Sequence, residues 1–85
     1  MKVAILAPEK QIYTGEAVAV TIPSVKGRFT ALENHAPIVS LLEKGVIIVE
    51  TGASEDKLSF PVSGGFVEIS DNEVTACVEQ DEKQK

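Results

Sequence analysis

Tryptophan is absent from this 85-residue sequence, and cysteine, histidine, methionine and tyrosine each occur once. A lone cysteine, Cys77, closes no intrachain disulfide, so the fold does not depend on an oxidising compartment. Cys77 and His35 are the only soft metal ligands, whereas a structural zinc site needs about four, so no metal is expected. No basic stripe is present. Eight Lys and Arg residues are scattered among thirteen Asp and Glu, for a formal net charge of −5. That balance argues against nucleic-acid binding and against direct attachment to an anionic lipid surface, both of which need clustered cations. No stretch approaches the roughly 18 apolar residues of a membrane span. The apolar opening is too short for a signal-peptide core and ends at Pro8-Glu9-Lys10. A soluble, cytosolic chain without membrane insertion is the expectation.

What is present is ordinary globular composition, 44% hydrophobic and 25% charged, at a length that fits one domain. Apolar residues recur with a period of two. Val18, Val20 and Ile22 alternate with smaller or polar neighbours, as do Leu58, Phe60 and Val62, and Val74, Ala76 and Val78. Such alternation puts one face of a strand inward. Turn signals separate the runs at Pro8-Glu9-Lys10, Thr14-Gly15-Glu16, Ser24 to Gly27, Glu33 to Pro37, Glu43-Lys44-Gly45, Gly52 to Asp56, Gly64-Gly65 and Asp71-Asn72-Glu73. Short strands with turns every 8–12 residues or so indicate an all-β sandwich or barrel.

The only helix candidate before the tail, Ile38 to Val49, is broken by Gly45 and ends in the β-branched run Val46-Ile47-Ile48-Val49. It reads as two strands, Ile38–Leu42 and Gly45–Thr51. Residues 46–49 are apolar on both faces. Either the domain covers both sides itself, or one side meets a partner. Residues 79–85 are wholly polar and read as a frayed tail or one helical turn.

Catalytic constellations are weak. Cys77 lies in a strand pattern and acts as a small packing residue. His35 lies in a turn, where its ring can bond to nearby backbone. Gly64-Gly65 follows a strand without the Lys-Ser/Thr and helix of a phosphate loop. It marks a kink or bulge where strands cross closely. No catalytic residue and no cofactor are expected from these patterns. Glu55-Asp56-Lys57-Leu58, in an expected hairpin, matches the Asp-Lys dipeptide of lipoyl and biotinyl carrier domains. This makes a carrier modified at Lys57 the alternative function, with a free-standing adaptor a third.

Three segments together decide between these. They are Ile5-Leu6-Ala7-Pro8-Glu9 with Ile12-Tyr13-Thr14-Gly15-Glu16, then Gly27 to Pro37 ending in Asn34-His35-Ala36-Pro37, then Val62-Ser63-Gly64-Gly65-Phe66-Val67-Glu68-Ile69. In order and spacing, over roughly residues 3–79, the chain resembles the N-terminal domain of the epsilon subunit of F-type ATP synthases. The pattern departs at Thr30, where the family carries a second glycine, and at Arg28, where it carries an acid. It also stops where many relatives continue into a C-terminal helical hairpin, so a short form is expected. The resemblance implies a ten-stranded β sandwich of two sheets over residues 3–79, followed by a polar tail, 80–85. It implies a non-catalytic rotor subunit at the cytoplasmic face of the bacterial inner membrane, with the gamma subunit and the c-ring as partners. By carry-over the ring-facing loop is Lys26, Gly27, Arg28, Phe29, Thr30, Ala31 and Leu32, with His35 in the adjoining turn. Arg28 is expected to meet an acid or a carbonyl cluster on the ring. Val46, Ile48 and Phe66 are the residues chosen to face gamma.

Overall fold

The computed structural model describes residues 1–52 and 57–80. Among them are eight strands and no helix: β1 (Lys2–Ala7), β2 (Lys10–Glu16), β3 (Ala19–Ser24), β4 (Gly27–Leu32), β5 (Ile38–Leu42), β6 (Gly45–Glu50), β7 (Lys57–Ser70) and β8 (Glu73–Gln80). The all-β expectation holds. The β-branched run 46–49 forms β6, and residues 38–42 form β5, as the broken helix pattern implied.

Eight strands stand where ten were expected, and hydrogen bonding links them in one continuous sheet. Its path runs β2-β1-β8-β7-β5-β3-β4, with β6 pairing both β3 and β7. The main reason is β7, fourteen residues long. Its first half pairs with β6, Val62 opposite Gly45 and Lys57 opposite Glu50. Its second half pairs with β5, Phe66 opposite Leu41 and Ile69 opposite Ile38. Between them the register against β8 shifts at Val62/Gly64. The inward parity changes there, from Phe60 and Val62 to Val67 and Ile69. A bulge lets one strand serve both halves of the sandwich without breaking its ladder. The expected bulge at Gly64-Gly65 is therefore present. At Gly65, φ is +127°, and an added Cβ would collide with the Cys77 carbonyl oxygen and lie 2.8 Å from Val78 Cα. Only glycine fits there.

Another turn signal proved to be strand. Gly15 lies within β2 opposite Val3. The polar tail begins later than expected, because Glu79 and Gln80 extend β8 opposite Gly64 and Val62; residues 81–85 lie outside the described residues. The Asp71-Asn72 turn does form. Both residues have positive φ, 54° and 61°, which is the tight hairpin geometry that matches strand twist.

The core is aliphatic. Val3, Ile5, Val20, Ile22, Ile47, Val49, Val67 and Ala76 are wholly buried, while Ile12, Tyr13, Phe29 and Phe60 pack at its margin. Each fully buried valine or isoleucine contributes about 1.5–3 kcal/mol of transfer free energy. Val18, grouped by its spacing with Val20 and Ile22, precedes β3 and is 46% exposed.

Candidate functional site

The segment expected as a loop, Lys26 to Leu32, is mostly a strand. Gly27–Leu32 is β4, paired residue for residue with β3 from Ser24 to Ala19. Lys26 is in the turn before it. The strand alternation sorts the candidates. Ala31 is wholly buried in the core, so its side chain cannot reach a partner. Phe29 packs partly against the core and its ring lies 5.8 Å from that of His35. The Thr30 hydroxyl is 3.0 Å from that of Thr21. Thr30 is not among the positive-φ residues, so an extended backbone accepts its Cβ without strain. Lys26, Gly27, Arg28 and Leu32 are exposed.

A concave surface of about 650 Å³ joins several of these residues. The β3–β4 hairpin, His35 and β5 line it. Its polar element is a hydroxyl pair, Ser24 Oγ and Ser40 Oγ, 2.6 Å apart, with Ser24 buried. The Lys26 N–H donates to Ser24 Oγ at 3.1 Å, which fixes the turn. His35 sits as its turn position implied, with Nδ1 2.7 Å from the Ala36 carbonyl oxygen.

At the other end of β4 the charges are of opposite sign. The Met1 ammonium donates to Glu33 Oε2 at 2.7 Å and to the Ala17 carbonyl at 2.8 Å. Asn72 Nδ2 donates to Glu33 Oε1 at 3.1 Å, and Asn72 Oδ1 accepts the Asn34 N–H at 2.7 Å. The ammonium hydrogen bond first, and the Asn72 bond second, hold the Glu33 carboxyl below the usual carboxylate range. This cluster ties the strand start to two turns and is structural.

The three gamma-facing candidates do not form one row. Val46 and Ile48 lie on β6 opposite Pro61 and Ser59 in the first half of β7. Phe66 lies in the second half, opposite Leu41 of β5 and Cys77 of β8, with Cys77 opposite Leu6 of β1. Leu41, Phe66, Cys77 and Leu6 thus make an apolar row across four strands, with Leu41 63% and Phe66 44% exposed. The sequence reading missed Leu41 and Leu6. The signal for Leu41 was available, since residues 38–42 are apolar on both faces, as 46–49 are. Cys77 lies on this outer row, and His35 lines the concave surface beside the β3–β4 hairpin. Among the described residues no group of three His, Cys, Asp or Glu could hold a metal. Lys57 opens β7 opposite Glu50 rather than standing at a turn tip; Glu55 and Asp56 lie outside the described residues.

Fold and surface together define an all-β sandwich with an exposed apolar row across four strands and a concave surface beside the β3–β4 hairpin. The chain belongs to the family of the ATP synthase Delta/Epsilon chain beta-sandwich domain, whose profile matches residues 1–84. An ATP synthase epsilon chain of Leptospira interrogans is 41% identical over 75 residues, 88% of this chain and 58% of that one. One from Nostoc sp. is 34% identical over 83 residues, 98% of this chain and 61% of that one. The chain therefore spans about three-fifths of these curated relatives. In fold it is similar to a chain of the Euglena gracilis mitochondrial ATP synthase OSCP/F1/c-ring structure. The TM-score is 0.82 at 24% identity, covering 89% of this chain and 48% of that one. It is also similar to a chain of the Tetrahymena thermophila mitochondrial ATP synthase central stalk/c-ring structure. There the TM-score is 0.74 at 17% identity, covering all of this chain and 74% of that one.

Proposed function

We propose that this chain is a non-catalytic central-stalk subunit of an F-type ATP synthase. It binds gamma and the c-ring and turns with them, coupling ring rotation to ATP synthesis. It works peripherally, at the cytoplasmic face of a bacterial inner membrane. The family match over residues 1–84 carries this reading. Two further features support it. The apolar row Leu6, Leu41, Phe66 and Cys77 is of the kind obligate interfaces bury at their centre, and we assign it to gamma; Val46 and Ile48 extend the apolar surface on β6. The β3–β4 hairpin, with Lys26, Gly27, Arg28, Phe29, Thr30 and His35, is assigned to the ring. The sandwich domain, expected over residues 3–79, takes in β1 from Lys2 and β8 to Gln80, and we assign it a single ladder doubled over into two layers.

Affinity capture tests the reading. The tagged chain is immobilised, a detergent extract of the source membranes is passed over it, and bound proteins are identified by mass spectrometry. Recovery of gamma with alpha, beta and c subunits is the expected result. Recovery of no ATP synthase subunit would overturn it.

A further inference from the structure

The α-ammonium of Met1 belongs to a buried residue, 5% exposed, and is closely engaged. It donates to the Ala17 carbonyl at 2.8 Å and to Glu33 Oε2 at 2.7 Å, and Glu16 Oε1 lies 3.7 Å away. The Ala17 N–H returns a bond to the Met1 carbonyl at 2.8 Å, so Met1 and Ala17 exchange both ladder bonds. The neighbouring Lys2 N–H donates to the Asn72 carbonyl at 3.2 Å. The terminal nitrogen therefore does the work of a strand N–H and of a cation at once.

Hydrogen bonds run on from it into two turns. Glu33 Oε1 accepts from Asn72 Nδ2 at 3.1 Å, and Asn72 Oδ1 accepts the Asn34 N–H at 2.7 Å. Asn34 and Asn72 both have a φ of 61°, a left-handed conformation that such contacts help to hold. An acyl group on the Met1 nitrogen would undo this arrangement in three ways. It replaces the three N–H donors of an ammonium by the single N–H of an amide, which serves Ala17 or Glu33 well but not both. It removes the charge, leaving the Glu16 and Glu33 carboxylates beside a neutral nitrogen. It also adds a carbonyl where two oxygens already stand at hydrogen-bond distance.

We propose that the Met1 α-amine is a modification-sensitive site: an N-acyl group, above all the formyl group of bacterial initiation, must leave before β1 locks onto the β4–β5 and β7–β8 turns. The step is a hydrolysis. Water adds its oxygen to the formyl carbon, the C–N bond breaks, and formate leaves as the nitrogen takes up protons and becomes the ammonium. It takes place on the chain before folding, because the folded amine is enclosed by Ala17 and Glu33. Once seated, the amine is shielded from renewed acylation, whereas the exposed Lys2 ε-amine beside it is not. The inference takes from the rotor reading only the bacterial origin of the formyl group. The geometry excludes any acyl group, whatever its source.

Three measurements on the full chain test it. In the first, the chain is produced in a bacterial host with deformylase active and with it inhibited, and the two forms are unfolded in urea. Retained formyl is expected to raise the unfolding constant roughly threefold to thirtyfold and to shift the backbone amide of Asn34 and the side-chain amide of Asn72 in NMR spectra. Equal midpoints, or spectra that differ only at Met1 and Lys2, would overturn the inference. In the second, the unmodified chain is acetylated by an amine-directed reagent, folded and in urea, with the Lys2 ε-amine as internal reference. Folding is expected to slow the Met1 amine roughly tenfold or more relative to Lys2, since reaction must await local opening; equal slowing of the two amines would refute enclosure. In the third, intact mass and the N-terminal peptide of the chain from its source are expected to show a free amine on Met1. A retained formyl group, or residues ahead of Met1, would overturn the proposal. None of the three involves gamma or the c-ring, so their failure leaves the rotor reading standing, and failed affinity capture leaves these results unaffected.

Discussion

Replacing Gly65 by alanine isolates the close strand crossing on which the sandwich turns. Gly65 and Gly27 have nearly the same φ, +127° and +124°, but different surroundings. A Cβ at Gly27 meets nothing within 4 Å, whereas at Gly65 it meets the Cys77 carbonyl and the Val78 Cα, both backbone. Holding a non-glycine residue in such a conformation costs about 1–3 kcal/mol at either site. Gly65→Ala adds an overpacking cost of about 1–3 kcal/mol, because backbone in a ladder cannot swing aside as a side-chain end can. A domain of this length is stabilised by about 4–13 kcal/mol in total, so the change removes a large share. At this size each kcal/mol moves Tm by roughly 4–8 °C. Urea denaturation followed by far-UV circular dichroism measures both variants. Gly27→Ala is expected to lower the midpoint modestly, and Gly65→Ala by about 1–3 kcal/mol more, with m unchanged. Equal losses would mean that the crossing relaxes freely and that the glycine is there for backbone freedom alone.

Ile47→Ala empties a wholly buried site in β6 and is expected to cost about 2–5 kcal/mol by the same denaturation assay. Leu41→Asp and Phe66→Asp alter exposed positions. They are expected to change stability by less than about 1 kcal/mol while weakening gamma capture roughly tenfold or more; unchanged capture by both would move the gamma surface elsewhere. Glu33, its pKa held low by the Met1 ammonium and then by Asn72, contributes stability that is complete above the ordinary carboxylate range. That contribution is lost as pH falls through the lowered value. Urea midpoints between about pH 7 and pH 3 should therefore fall more steeply for the native chain than for Glu33→Gln, the two converging in acid. Parallel curves would show that the cluster does not stabilise the fold.

The sequence by itself determined the class of fold. Period-two alternation at Val20/Ile22, Leu58/Phe60/Val62 and Val74/Ala76/Val78 marks strands because successive side chains point to opposite faces. The β-branched residues 46–49 favour a strand there for a local reason, restricted χ1. The bulge at Gly64-Gly65 was legible because glycine is the residue that tolerates its φ. Arg28 and His35, named through the family resemblance, both line the concave surface beside the β3–β4 hairpin.

Other features depended on pairing between distant segments, which local pattern does not encode. Strand count is one. β7 continues through the bulge because β8 keeps its ladder on both sides, so a local break signal did not become a break. Burial within the candidate site is another. Ala31 was counted as ring-facing, yet its pairing with Val20 turns it into the core. The apolar row is the clearest case. Leu6, Leu41, Phe66 and Cys77 come from four strands, and only the registers of β1 on β8, β8 on β7 and β7 on β5 align them. Side-chain period selects a face within each strand, but a shift of one residue in any register would send that strand's residue to the opposite face. Tertiary pairing alone decides which strands share that surface.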